Sequence, residues 1–414
     1  MEKYDIIIIG AGLSGLYSAY NIKKMSPKTT FLILESNKKQ YIGGRIGNET
    51  FYNTQIVVGA GVGRKDTDKS LIQLLKELHI HTKDFTVNMN YSFLNYDKEL
   101  NIKKMLYHLR QVYNNYKEKP NVTFKQFASQ HLGNKLYKQF VTTAGYSDYE
   151  KEDVYEVLYH YQMDDNGPGW TGIDIPWSEL VHALYKNIGL THIKTSHSVE
   201  NIVRVKTVSS CLYEISTNKG VKYYANKVIV ATRISTTQKL FPKNPIYREI
   251  HGQPFLYVYA KFDKESAEIM KQCVPYYTIV PGPLQKIVPM DSEKGVYMIA
   301  YTDNKNADYL KDYAEANNTH SKSFFEEELE RVLQLPKNAL HIIALKSFYW
   351  PIGTHYYSPL NFKKYANREE FIWKAQHPEP CILVVGEAVS RRQGWTEGAL
   401  ESVEKVLNKQ WIEK

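Results

Sequence analysis

The segment Tyr4-Asp5-Ile6-Ile7-Ile8-Ile9-Gly10-Ala11-Gly12-Leu13-Ser14-Gly15 sets the architecture of the chain. Its β-branched run reads as a parallel strand buried on both faces. Beyond it, Leu16-Tyr-Ser-Ala-Tyr-Asn-Ile22 has helical apolar spacing. Between them Gly10 permits a tight turn, Gly12 lets the backbone approach a pyrophosphate, and Gly15 lets the helix pack close to the strand. The helix amino terminus, with Ser14 in its first turn, offers unpaired N–H groups and a positive partial charge to phosphates. Working outward, a second strand, Thr30-Phe-Leu-Ile-Leu34, ends at Glu35, 20 residues after Gly15. A carboxylate there accepts hydrogen bonds from ribose hydroxyls and repels a 2′-phosphate. Strand, turn, helix, strand and acid together predict a Rossmann-like dinucleotide site that disfavours NADP.

The rest of the composition excludes more than it identifies. At roughly 150 residues per domain, the 414 residues allow two or three domains. The 33 Tyr, 15 Phe and 6 Trp argue against disorder. Three cysteines, Cys211, Cys273 and Cys381, are too few for a disulfide scaffold and fit a reducing compartment. The formal charge of +9 comes from basic residues interleaved with 44 acids, and the densest cluster, Lys103-Lys104 near Arg110, lies in helix-like sequence. A solvated basic surface accounts for it, with an anion-attracting face as the alternative, and no nucleic-acid partner is expected. No apolar run approaches the roughly 18 residues of a membrane span, and the early first strand leaves no room for a leader. A cytoplasmic protein without a membrane anchor is expected. No zinc-type spacing, Ser-His-Asp arrangement or Walker loop is present, so no metal is expected.

Eight residues after Glu35 stands Gly43-Gly44-Arg45. Near the carboxyl end, the apolar strand Pro380-Cys-Ile-Leu-Val-Val385 runs into Gly386-Glu387-Ala388, followed by Gly394-Trp395-Thr396-Glu397-Gly398-Ala399. With the amino-terminal turn, these motifs resemble the fingerprints of the flavin amine oxidase superfamily. It includes monoamine and polyamine oxidases, L-amino-acid oxidases, protoporphyrinogen oxidase and phytoene desaturase. The resemblance implies FAD. Gly43 and Gly44 would bring backbone near its diphosphate, and Arg45 would pair with the charge, as a guanidinium is suited to do. Gly386 and Glu387 would hold the ribityl chain or ribose. The helix opening at Thr396 would point at the pyrimidine end of the flavin, where negative charge develops on reduction. Gly59-Ala60-Gly61 resembles the segment beneath the isoalloxazine ring, and Val199 in Ser198–Ile202 the adenine contact. Ala225–Arg233 resembles the strand that closes the flavin domain. Motifs this far apart imply an α/β protein with a discontinuous FAD-binding domain (1–64, 192–245 and 346–414). It would be interleaved with an α+β substrate domain of mixed sheet and helices (65–191 and 246–345).

The same resemblance implies catalytic residues. Many relatives set two aromatic rings before the flavin. Trp395 stands where one belongs, and Trp350-Pro-Ile-Gly-Thr-His-Tyr-Tyr357 should supply the other. Tyr356 is the expected second wall, with Trp350 against the flavin and His355 near the ring edge. Some relatives attach flavin there through Cys; none stands here, so non-covalent FAD is expected. Many relatives also carry a Lys bonded through water to flavin N5, and Leu256 falls at that position. Lys261, five residues on, should face the opposite way. Asp164-Asp165 before Asn166-Gly-Pro-Gly169 reads as a turn, with attraction of a polyamine as the alternative. The expected activity is FAD-dependent oxidation of a small-molecule amine, with oxygen or another acceptor taking the electrons. A C–C desaturase on a porphyrin- or lipid-like substrate is the second expectation, and a flavin-bound interaction protein without turnover the third.

Overall fold

The computed structural model describes residues 2–92, 100–161, 163, 167–205 and 211–413. The turn of Asp164 and Asp165 lies outside the described residues. The first strand (Glu2–Ile9) is central in a seven-stranded sheet. It pairs in parallel with Phe31–Leu34 on one side and Lys222–Val230 on the other; Ile193–Lys194 and Ile382–Val384 extend the parallel array. Ile6 and Ile8 face a core with Leu16, Leu74, Leu180 and Leu400, whereas Ile7 and Ile9 face one with Ile234, Phe371 and Ile372. Both faces of the sheet are therefore covered, which is what the unbroken isoleucine run requires.

Register brings the ends of these strands together. Ile9 pairs with Leu34 and with Val230, and Val230 with Val384. Gly10, Glu35, Ala231 and Val385 therefore leave the sheet side by side, and ligands bind at such carboxyl ends of parallel strands.

A six-stranded sheet forms the second layer, in the order Ile342–Tyr357, Ile250–Phe262, Val296–Asp303, Lys286–Asp291, Tyr277–Ile279, Met89–Tyr91. On one face Leu256, Val258 and Ala260 pack under Met270, Leu310, Phe325 and Leu329. On the other, Phe255, Tyr257 and Tyr259 meet Leu106, Leu109, Phe124 and Val157 from the helices Ile102–Asn115, Phe124–Ala144 and Val154–Tyr159. Some packing runs across the expected boundaries. Helices Lys69–Glu77 and Trp177–Ile188 lie on the first sheet, and Ile342–Tyr357 begins inside the second.

The reading of the cysteines needs correction. Cys211 and Cys381 form a disulfide across 170 residues, while Cys273 is a free thiol. The sulfurs meet because Tyr213–Thr217 and Ile382–Val384 both pair with Lys222–Val230, a neighbourhood invisible in the spacing. The cysteine argument for a reducing compartment therefore falls. No described helix is long and apolar enough to cross a membrane.

Candidate active site

The amino-terminal turn is crowded on one side and open on the other. A Cβ on Gly15 would lie 2.0 Å from the Gly10 carbonyl oxygen, and one on Gly10 would lie 2.5 Å from that of Ala231. A Cβ on Gly12 would meet nothing within 4 Å. Close packing thus demands two of the glycines, and the third looks onto free space. The helix Leu13–Met25 begins there with no side-chain cap, leaving its first N–H groups available. Ser14 Oγ points away, to the Ala399 carbonyl at 3.3 Å. Glu35 is buried, and its Oε2 accepts from Ala11 N–H at 2.7 Å. His197 N–H donates to the Glu35 carbonyl (2.8 Å), so the segment bearing the buried Val199 lies beside that acid.

Gly43 N–H donates to Ala11 O at 2.9 Å, which lays the Gly43-Gly44 turn on the first loop. Arg45 then reaches the other end of the chain. Its Nη1 donates to Gly353 O (2.6 Å) and its Nη2 to Glu387 Oε2 (3.0 Å). Glu387 Oε1 also accepts from His355 N–H at 2.9 Å, and His355 Nδ1 lies 2.8 Å from both carboxylate oxygens. His355 Nε2 accepts from Ile234 N–H (3.1 Å), so the proton sits on Nδ1 and the ring donates to Glu387. Burial acts to raise the Glu387 carboxyl, but Arg45 and His355 hold it well below the usual carboxylate range. The Arg45–Glu387 ion pair and the imidazole of His355 form one hydrogen-bonded unit joining residues that the sequence reading assigned to separate tasks.

Arg45 O accepts from Ala60 N–H (2.9 Å), and a Cβ on Gly59 would lie 2.2 Å from that oxygen. Trp350 Nε1 donates to Val58 O and Trp177 Nε1 to Gly61 O, each at 2.7 Å. A Cβ on Gly61, like one on Gly12, would meet nothing within 4 Å. Trp395 precedes the helix Thr396–Val406. Its Nε1 donates to Asp68 Oδ2 (2.7 Å), the Arg64 guanidinium lies 5.0 Å over its ring, and Trp177 meets it edge-on at 6.2 Å. Thr396 Oγ1 is buried and has no hydrogen-bond partner among the described residues. Tyr356 stacks on His251 at 5.2 Å, and Thr354, two residues earlier, is the side chain beside Gly394.

Residues 101–405 match the model of the flavin containing amine oxidoreductases, and residues 8–78 match a NAD(P)-binding Rossmann-like domain. The chain belongs to the flavin-containing amine oxidoreductase family. A double mutant of a putrescine oxidase is similar over 99% of each chain, with a TM-score of 0.75 at 14% identity. The wild-type putrescine oxidase bound to putrescine gives 0.74 at 13% identity, over 97% of this chain and 98% of that one. A proposed protoporphyrinogen oxidase from Exiguobacterium sp. 255-15 gives 0.72 at 12% identity, covering 100% and 99%. These likenesses show the fold. Uncharacterized protein R188 of Acanthamoeba polyphaga mimivirus is 37% identical over 59 residues; that match spans 14% of this chain and 11% of the relative.

Amine oxidoreductases of this family bind FAD, and the residues present fit it. Space lies over Gly12 and Gly61, an uncapped helix faces the first opening, and Thr396 Oγ1 waits without a partner at the start of another helix. The face of Ile250–Phe262 that carries Phe255, Tyr257 and Tyr259 forms a wall beside Val57 and Val58, because Phe255 pairs with Trp350, whose Nε1 donates to Val58 O, and Tyr259 OH donates to Val57 O at 2.7 Å. Leu256 faces the opposite core. The strand's single lysine, Lys261, does share the wall's parity, but its Nζ is tied to the carbonyls of Phe262 and Lys294. Thr354 and Gln253 escaped the sequence reading. Pro351–Gly353 bulges against Pro254, and no motif marks the two side chains that meet beyond the bulge.

Proposed function

We propose that the protein oxidises the C–N bond of an amine, amino acid or polyamine by hydride transfer, in a site walled by Trp395, Tyr356 and Trp350. Bound FAD, held without a covalent link, supplies the hydride acceptor. The observation that carries this reading is the fixation of Trp395. Asp68, Arg64 and Trp177 hold its indole at the start of the helix Thr396–Val406, next to the strand that bears Thr354. A ring held from three sides is suited to orienting a C–H bond, and orientation is most of what this chemistry asks of the protein. Gly10, Gly12, Gly15, Gly43, Gly44 and Arg45 hold the diphosphate, with Ser14 anchoring the helix that faces it. Glu35 and Val199 take the adenosine end. Gly59, Ala60, Gly61, Gly386 and Thr396 border the flavin. Glu387 and His355 act on it by holding Arg45. Residues 1–64, 192–245 and 346–414 would supply the FAD-binding part, and 65–191 and 246–345 the substrate part.

Anaerobic mixing with a panel of amines, amino acids and polyamines tests the reading: the yellow protein bleaches with one of these classes. A colourless protein that cannot be reconstituted with FAD defeats it. The second reading, C–C dehydrogenation of a porphyrin- or lipid-like compound, is favoured by the aromatic face of Phe255, Tyr257 and Tyr259, whose one lysine by parity, Lys261, is tied to the carbonyls of Phe262 and Lys294. It predicts bleaching by that class and by no amine. Retention of FAD with no reductant in either class would point to an interaction protein.

A further inference from the structure

The formal charge of +9 is not spread evenly. Residues 101–147 hold eight Lys and Arg against one acid, Glu118, and so carry +7 of it. They form the helices Ile102–Asn115 and Phe124–Ala144 with the turn between them. Lys119 Nζ donates to the carbonyls of Tyr113, Asn114 and Tyr116, and Tyr116 OH meets His131 Nε2 at 3.2 Å, so the end of the first helix lies against the second. The interleaving of basic residues with acids holds for the rest of the chain and fails for this layer.

The first of these helices is two-faced. Ile102, Leu106, Leu109 and Tyr113 are buried in the core that covers the Phe255 face of the second sheet. On the other side Lys103, Lys104, Tyr107, His108, Gln111 and Asn114 are exposed, Tyr107 by 63%. Exposed helices gain from acids set three or four residues from their lysines, as Glu370 is from Lys374. The outward positions three and four residues after Lys104 hold Tyr107 and His108 instead. Among the described residues Lys103, Lys104, Lys117, Lys135 and Lys138 have no ion-pair partner, whereas Lys125 pairs with Glu150 at 3.1 Å. Unpaired lysines beside an exposed aromatic ring suit a polyanion that carries bases: the ammonium groups meet phosphates and the ring stacks on a base. A lipid surface is the poorer match. It takes up the Trp, Phe or Leu of an amphipathic helix, and the leucines of this one, Leu106 and Leu109, are already held in the core.

We propose that the outward face of the helix Ile102–Asn115 binds single-stranded nucleic acid, with Lys103 and Lys104 on phosphates and Tyr107 stacked on a base. This binding does not depend on the amine reading. A fluorescent oligothymidylate of about 20 nucleotides, longer than a typical site, is the probe. Its anisotropy is read with the FAD-loaded protein across about 50 to 200 mM salt. The wild type should bind it, and more tightly than a duplex of the same length, in which no base is free to stack. Lys103→Gln with Lys104→Gln should cost about tenfold in affinity at low salt. The same pair should lower the logarithmic salt slope by about 1.4, two contacts at roughly 0.7 each. Tyr107→Ala should cost about fivefold or more and leave the slope unchanged. Lys219→Gln with Lys264→Gln, which removes the same charge from exposed sites elsewhere, should change neither. All five positions are exposed, and an unaltered flavin spectrum and melting temperature certify each variant as folded. Four results would each overturn the proposal: no binding below about 100 μM at low salt, an equal loss in the control pair, no effect of Tyr107→Ala, or a duplex held more tightly. Capture by phosphatidylserine vesicles in place of the oligonucleotide would overturn it too.

Discussion

At Gly12 and Gly15 the same substitution has opposite consequences. Gly15→Ala drives a methyl onto the backbone of Gly10, and we expect a loss of about 3 kcal/mol or more, or no folded protein. Gly12→Ala meets no protein atom, so the melting temperature of the FAD-free protein should stay within a few degrees, with FAD affinity down about tenfold or more. Thermal denaturation and fluorescence titration with FAD separate the two. Glu387→Gln breaks a buried ionic unit, for which roughly 3–5 kcal/mol is typical, and frees Arg45. Because its folded-state value is depressed, the Glu387 contribution is complete above the ordinary value of 4.5 and drains away as pH falls below it. Acid unfolding of the variant should therefore be shallower. Glycines at such turns are legible in a sequence because no other residue fits them. The engagement of both oxygens of Glu387 by Arg45 and His355 was not legible, since a carboxylate's partners depend on what packs around it.

At the scale of elements, the acids Glu152 and Glu156 at the start of the helix Val154–Tyr159 work in the opposite sense to Glu387. Burial raises the Glu156 carboxyl to about 7 against Arg391 and Arg368, and raises Glu152 further above its ordinary 4.5. The native state therefore holds more protons than the unfolded chain over this range. Stability should fall as pH rises from about 4.5 and level off above the folded values. Urea denaturation from pH 5 to 8 should show that decline, and Glu152→Gln should flatten it. The buried first strand and the helix that follows it were legible in apolar periodicity. Which residues of Ile250–Phe262 share a face with Trp350 was not. The bulge at Pro351–Gly353 and the pairing of Phe255 with Trp350 set that face, and both come from contacts between strands far apart in the chain.

For the whole molecule, the disulfide Cys211–Cys381 closes a 170-residue loop and ties together the starts of the strands Tyr213–Thr217 and Ile382–Val384, both of which pair with Lys222–Val230. Reduction, or Cys381→Ser, should cost about 2–4 kcal/mol in guanidinium unfolding, with FAD still bound in native buffer. The local chemistry of the chain was determined by its sequence: a buried strand, a glycine turn that lets a phosphate approach, an acid at the next strand end, and a helix start at Thr396. Those features follow from backbone conformations and side-chain periods that act over a few residues. Only the tertiary structure decided that Arg45 meets Glu387 across 342 positions, that Cys211 meets Cys381, that Leu256 lies in the core opposite Phe255, Tyr257 and Tyr259, and that Gln253 lies between the Asp148 carbonyl and Thr354. Strand order and register are set by how the two sheets bury their faces together, and that balance is struck over the whole chain at once.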